Sequence, residues 1–226
     1  MIPLRDINPR RTTPIVNTAL IVINVLFFLW ELSLGPDLQA ALMQYAFIPA
    51  RFASAHAPGM QSVLLSMFLH GGWLHLGGNM LYLWIFGDNI EDRLGHVLYL
   101  FFYLACGVIA TLTHGLMNPQ SHLPSIGASG AIAGVLGAYL VLFPSARVMT
   151  FIPIGVYLAM RELPALLVLG FWFVMQLFVG VASLHNVSAQ EMGGVAYFAH
   201  IGGFVAGIVL VLVLGGRRAE SSHPKF

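Results

Sequence analysis

"GASGAIAG", Gly127–Gly134, holds a single hydroxyl, Ser129, among residues with almost no side chain. It lies where the polar stretch "NPQSHLPSIGA" gives way to the apolar run "SGAIAGVLGAYLVLF". Pro119 and Pro124 keep the preceding residues extended or turned, and Pro144 closes the run, so a helix is expected over 129–143. Such a helix reaches about 22 Å, roughly 8 Å less than the hydrocarbon core of a bilayer. Anchored at its inner end, it leaves Ser129 below the outer surface. Irregular backbone at that depth is tolerated only where protein buries it or it lines a watery cavity. The stretch is therefore either a device for close helix packing or the floor of a cavity that carries chemistry.

Composition makes the bilayer the solvent. Of 226 residues 58% are hydrophobic and 8% charged, with a mean hydropathy of +0.83, where a soluble domain carries about 25% charge. Six segments are long and apolar enough to span or nearly span: about 14–34, 63–86, 96–116, 129–143, 164–184 and 193–216. Backbone groups in hydrocarbon must pair internally, so an all-α membrane protein with a six-helix bundle is expected, its fourth helix short and partly buried. The first run reads as a retained helix rather than a removed signal. With an even number of spans both termini share a side, and of the ten Lys and Arg only Arg51 then falls on the other. That bias places both ends in the cytoplasm. Residues 1–13 become a cytoplasmic segment, 14–216 the membrane domain and 217–226 a cytoplasmic tail. A net charge of +1 excludes nucleic acid as an electrostatic partner, and a lone Cys106 excludes a disulfide and a four-cysteine metal site.

The remaining polar groups converge. His200, in "GGVAYFAHIGGFVAG", lies about 10 Å below the outer end of the sixth segment, close to the depth of Ser129. Gly203 and Gly207 let that helix approach a neighbour closely. In "HGGWLHLGGN", His75 and Asn79 are four apart and share a helix face in the outer half. Serine is a weak nucleophile until a base takes its proton, and neutral imidazole does this near neutral pH. The free N–H groups at the start of the fourth helix, with His75 and Asn79, could hold a tetrahedral oxyanion. Gly127, Ala128 and Gly130 leave room for a substrate strand beside the backbone. No Asp or Glu lies well inside a helix, so a hydrolase here would use a Ser–His dyad.

"GASG" at 127–130, "AHIGG" at 199–203 followed by Gly207, and "HGGWLHLGGN" at 70–79 together resemble the rhomboid intramembrane serine proteases, over about residues 60–210. The order of the motifs, the His–five–His–four–Asn spacing, the six helices and the large first loop all match that family. The resemblance implies Ser129 as nucleophile, His200 as general base and acid, and an oxyanion hole of His75, Asn79 and the Ser129 N–H. It implies His70 as a brace of the first loop and "GDNIEDRLG" as a Glu-bearing turn with Glu91 and Arg93 at the matching places, two residues that read as a loop-fixing ion pair. It also implies peptide hydrolysis in transmembrane segments of other membrane proteins without cofactor or metal, and lateral entry past the fifth helix, "LLVLGFWFVMQLF". Many members carry an aromatic residue one helical turn after the serine, against the histidine; here that position is Ala133. Tyr197 and Tyr139 are the aromatic residues weighed for that role.

A transporter is the competing class, but there is no inverted repeat and the polar groups avoid the midplane. A histidine metal site fails on spacing, because His70 and His75 do not share a helix face and no acidic residue joins them. A bacterial plasma membrane is the expected location.

Overall fold

Pro14 breaks an extended stretch, and the apolar run after it coils into α1 (Ile15–Ser33). The structure, a computed structural model, describes residues 1–52, 59–154, 157–184 and 196–215. After α1 the chain forms the short helices α2 (Leu38–Tyr45), α3 (Pro49–Phe52) and α4 (Met60–Leu65), then α5 (Trp73–Leu94) and α6 (His96–Met117). Among the described residues the last three helices are α7 (Ser129–Leu142), α8 (Ala165–Leu184) and α9 (Tyr197–Leu214). Helices α1, α6 and α9 are long and apolar enough to cross a membrane; α7 and residues Ala165–Val181 of α8 are apolar but shorter. Leu74, Phe178 and Val213 turn large apolar side chains outward, which is stable only where the surroundings are lipid. The chain is a mostly helical, multi-pass membrane protein.

Helix α7 is the hub. Every residue from Gly130 to Tyr139 is buried, as expected of a helix apolar all round. Its closest partner is α9, and glycine sets the distance. A Cβ on Gly203 would strike the Gly130 carbonyl oxygen, and one on Gly207 would strike the Gly134 carbonyl oxygen. Both pairs step four residues in the same direction, so the two helices run parallel with their backbones touching. That register brings the first turn of α7 against the first turn of α9.

Three expectations are corrected. The chain is not all-α: the described residues include an antiparallel sheet of β1 (Ile2–Asp6), β2 (Arg147–Ile154) and β3 (Tyr157–Pro164), in that order. Ile2 pairs with Phe151 and Asp6 with Val148, so the first residues of the chain dock onto the segment between α7 and α8. The second apolar segment, expected at 63–86, is also not one helix. Its start forms α4 and a 3-10 turn, Ser66–Phe68. The chain then breaks before Gly72, whose φ of +151° suits glycine, and α5 continues to Leu94. "GDNIEDRLG" is therefore the end of a helix, stopped by Gly95 at φ +79°. The start of the sixth segment at 193–195 and the tail at 217–226 lie outside the described residues.

The third correction follows from the second. Glu91 makes no ion pair with Arg93; among the described residues its carboxylate, fully buried, accepts N–H bonds from Val16 (2.9 Å) and Asn17 (2.7 Å) and pairs with His96 at 2.5 Å. Residues two apart on a helix do not face each other, and the free N–H groups and positive end of another helix attract the carboxylate instead. Glu91 thus caps α1. Asp92 accepts from the N–H groups of Arg11 and Thr12, and Asp88 pairs with Arg10, extending the clamp outward. Glu91→Ala would strand two buried donors, so a loss of about 3 kcal/mol is expected, with Glu91→Gln losing clearly less. Thermal unfolding of the purified variants in detergent checks this, and equal melting temperatures for Glu91→Ala and wild type would contradict it.

Strand β1 also reaches the foot of α7. Tyr139 donates its O–H to Asp6 Oδ2 at 2.7 Å. Burial raises the Asp6 carboxyl to about 6, with the Tyr139 bond opposing. The unfolded carboxyl titrates near 4, so between about pH 4 and 6 the folded protein holds the extra proton and stability falls as pH rises. Solvent screening of this partly exposed group leaves a cost on the order of 1 kcal/mol above pH 6. Asp6→Asn, which keeps an acceptor for Tyr139, is expected to raise the melting temperature at pH 7.5 and leave it unchanged at pH 4.

Candidate active site

The site is built around the first turn of α7. Gly127, at φ +118°, turns the chain into the helix, and its N–H donates to the Ser66 carbonyl at 2.8 Å. Ala128 is fully buried and its carbonyl accepts the first helical bond, from Ile132. The N–H groups of Ser129, Gly130 and Ala131 precede that bond and have no acceptor within the helix. They point out of the positive end of the α7 dipole.

Ser129 meets His200. Ser129 Oγ and His200 Nε2 are 2.8 Å apart, and His200 is 7% exposed, in the first turn of α9. The parallel glycine register is what makes this contact. Ala199 lies against Gly130, within 3.8 Å of where a Gly130 Cβ would be, so the residue after it faces the serine.

His75 and Asn79 arrive from α5. A Cβ on Gly127 would lie 2.7 Å from His75 Nε2 and 3.5 Å from Asn79 Nδ2. Only glycine fits there, on sterics as well as on φ. The Gly71 N–H donates to His75 Nδ1 at 3.3 Å, which assigns the proton of neutral His75 to Nε2, on the side of Gly127. Asn79 is 7% exposed, and among the described residues its buried Nδ2 has no hydrogen-bond partner. A buried amide donor left open beside a serine is costly in a resting protein. The side-chain donors of His75 and Asn79 therefore both face Gly127, two residues before Ser129 at the start of α7.

His70 is buried between α4 and α5. Its N–H donates to Glu31 at 3.0 Å, its Nδ1 to the Phe68 carbonyl at 3.1 Å, and its ring meets His75 edge-on at 5.2 Å. This ties the end of α1 to the chain entering α5 and supports His75 from behind. Thus Ser129, His200, His75, Asn79, Gly127, Ala128 and Gly130 come together; His70, Gly203 and Gly207 surround them as supports. Glu91 and Arg93 lie at the opposite end of α5.

Two residues escaped the sequence reading. Gln176 on α8 places Oε1 2.8 Å from His200 Nδ1. Trp172, one turn earlier, packs its ring against His200 with centroids 5.7 Å apart and an interplanar angle of 37°. The aromatic support missing at Ala133 therefore comes from another helix. Tyr139 is at the far end of α7 on Asp6, and Tyr197 packs toward Gly180, so neither takes that role. The signal available was Gln176, the one amide side chain in a helix otherwise apolar but for Ser183, since a polar group held in lipid points to a function.

A larger hollow lies elsewhere among the described residues. It measures about 440 Å³, between α1, α2 and α4, lined by Leu26, Phe27, Trp30, Tyr45, Leu65 and Leu69. That lining offers no base or nucleophilic serine. The cleft at Ser129 is smaller and more polar, bordered by Ser66, Thr111, Ser125 and Gly127.

The fold and site define a multi-pass membrane protein whose central short helix presents a serine to a buried histidine. The Rhomboid domain profile matches residues 58–217. The chain belongs to the rhomboid family. It is 30% identical over 199 residues to Rhomboid protein 1, mitochondrial, of Saccharomyces cerevisiae, covering 84% of this chain and 51% of that protein. It is 34% identical over 156 residues to the Presenilin-associated rhomboid-like protein, mitochondrial, of Homo sapiens, covering 66% and 39%. It is 32% identical over 192 residues to Rhomboid protease GluP of Bacillus subtilis, covering 84% and 33%. The chain thus spans from a third to about half the length of these relatives, whose names belong to mitochondria and to a bacterium.

Proposed function

We propose that this chain is an intramembrane serine endopeptidase that hydrolyses peptide bonds in or beside transmembrane segments of other membrane proteins. The observation that carries the reading is the 2.8 Å contact between Ser129 Oγ and His200 Nε2 at the N-terminus of a central, short helix. Membership of a family that includes a named rhomboid protease supports it.

His200 Nε2 takes the Ser129 proton as Oγ attacks the scissile carbonyl carbon, and the new oxyanion is held by His75 Nε2–H, the Asn79 amide and the Ser129 N–H. His200 returns that proton to the leaving amine as the C–N bond breaks. A water, deprotonated by the same Nε2, then attacks the acyl-enzyme, and the proton passes back to Ser129 Oγ as the acid product leaves. The substrate strand runs beside Gly127, Ala128 and Gly130. No cofactor or metal enters this sequence of steps. In this reading the membrane domain covers about 14–216 with six spans in a plasma membrane, and the arginine bias supports both termini lying on its cytoplasmic side.

The test is cleavage of a single-span protein co-reconstituted with the purified chain in vesicles. Wild type yields two fragments cut near the outer end of the span, and Ser129→Ala yields none. Equal cleavage by both would overturn the reading.

A further inference from the structure

We infer that Gln176 is the positioning residue of His200: its amide oxygen holds the imidazole in the one tautomer that can accept a proton from Ser129. The inference rests on the reading of His200 as the base.

Neutral imidazole carries its proton on either ring nitrogen, and only the form with a bare Nε2 can take a proton from Ser129 Oγ. In water the two forms interconvert, so part of the population is always unproductive. Here Gln176 Oε1 sits 2.8 Å from Nδ1. An amide oxygen only accepts, so it demands the proton on Nδ1 and leaves the Nε2 lone pair facing Ser129 Oγ, also at 2.8 Å. Trp172 precedes Gln176 by four residues, so both side chains leave α8 on the same face. Trp172 fixes the plane of the ring, and Gln176 fixes its rotation about Cβ–Cγ and its proton. Phe204 and Phe173, stacked 4.3 Å apart at 17°, hold α8 against α9 one turn below, and Trp172 packs on Phe204 as well.

A carboxylate would orient the same ring. It would also bring a full negative charge into a site bounded by lipid, where an unpaired ion is expensive. An amide supplies the geometry without the charge. That explains why no acidic residue is needed beside His200, and why the side chain that takes its place is a glutamine on a helix distant in sequence from both Ser129 and His200.

The experiment compares wild type, Gln176→Leu, Gln176→Glu and Ser129→Ala in vesicles, measuring kcat and KM for one substrate and melting temperature. It adds ¹⁵N spectra of the histidine rings, with His200 assigned by its absence in His200→Gln. Gln176→Leu, of similar size but with no acceptor, is expected to lose kcat by about 10–100-fold with KM within about twofold and the melting temperature unchanged. Gln176→Glu, which keeps an acceptor, is expected to retain most of kcat. In the spectra, His200 of wild type carries its proton on Nδ1, and Gln176→Leu shows a mixture of tautomers. Full kcat in Gln176→Leu, an equal loss in Gln176→Glu, or a wild-type His200 protonated on Nε2 would each overturn the inference. Cleavage by Ser129→Ala, or none by wild type, would instead reject the function proposed above. The ring spectra would still decide the role of Gln176.

Discussion

Ser129→Ala and His200→Ala are each expected to lower kcat for cleavage by at least about 10³-fold, and the double variant to be no slower than the worse of the two. The reason is that the two side chains act as one unit. Without His200 the Ser129 proton has no acceptor at 2.8 Å, and without Ser129 the imidazole has nothing to activate. KM should change little in any of the three, because in the proposed reading the substrate strand runs beside the backbone of Gly127–Gly130 and is not held by the reacting atoms. Multiplying losses, each adding to the other, would mean that the two residues serve separate steps. Ser129→Ala is conservative in volume at a first helical turn, so its melting temperature should hold and its loss of activity can be assigned to chemistry, whereas His200→Ala removes a buried ring packed on Trp172, so its activity is read beside its melting temperature.

The second large effect is structural. Gly207→Ala is expected to destabilise the protein by about 3 kcal/mol and to reduce cleavage in parallel. A Cβ there would overlap the Gly134 carbonyl oxygen and lie 2.5 Å and 2.6 Å from Gly134 C and Cα. These are backbone atoms, so no rotamer change relieves the clash, and α7 must part from α9. The same parting separates Ser129 from His200, since their contact depends on that helix spacing. Gly77→Ala serves as the control, because a Cβ on Gly77 meets nothing within 4 Å. Thermal unfolding and cleavage rates measured side by side check both arms. A Gly207→Ala protein with the melting temperature and activity of wild type would show that the two backbones do not touch.

How legible this was in the sequence depends on how local each signal was. Ser129, His75, Asn79, His200, Gly203 and Gly207 sit in short motifs whose glycines and histidines are conspicuous in an apolar chain, and their shared depth followed from helix lengths. The structure sets Ser129 against His200, His75 and Asn79 against Gly127, and Gly203 and Gly207 against α7. Glu91 was misread because its partners, Val16 and Asn17, lie far away in sequence while Arg93 lies nearby. The sheet was missed for a similar reason. β1 is five residues long and pairs with a strand beginning at Arg147, and two brief, partly apolar segments announce no register until they meet. The break at Leu69–Gly72 and the extension of α5 through Asp88, Glu91 and Asp92 were hidden by the charges. Acidic residues read as a loop, whereas here they face the incoming N-terminal segment and cap α1. Gln176 and Trp172 were hidden differently. They belong to a helix whose apolar character drew attention to its lipid-facing bulk, and only the packing of α8 on α9 reveals which face they share.

Reaction of the folded protein in detergent with a fluorophosphonate, followed by peptide mapping, tests the central claim most directly: that His200 makes Ser129 a nucleophile. The account predicts one adduct, on Ser129, formed in wild type, strongly slowed in His200→Ala and lost on prior unfolding. An adduct on another serine, or labelling of Ser129 at the same rate without His200, would contradict it.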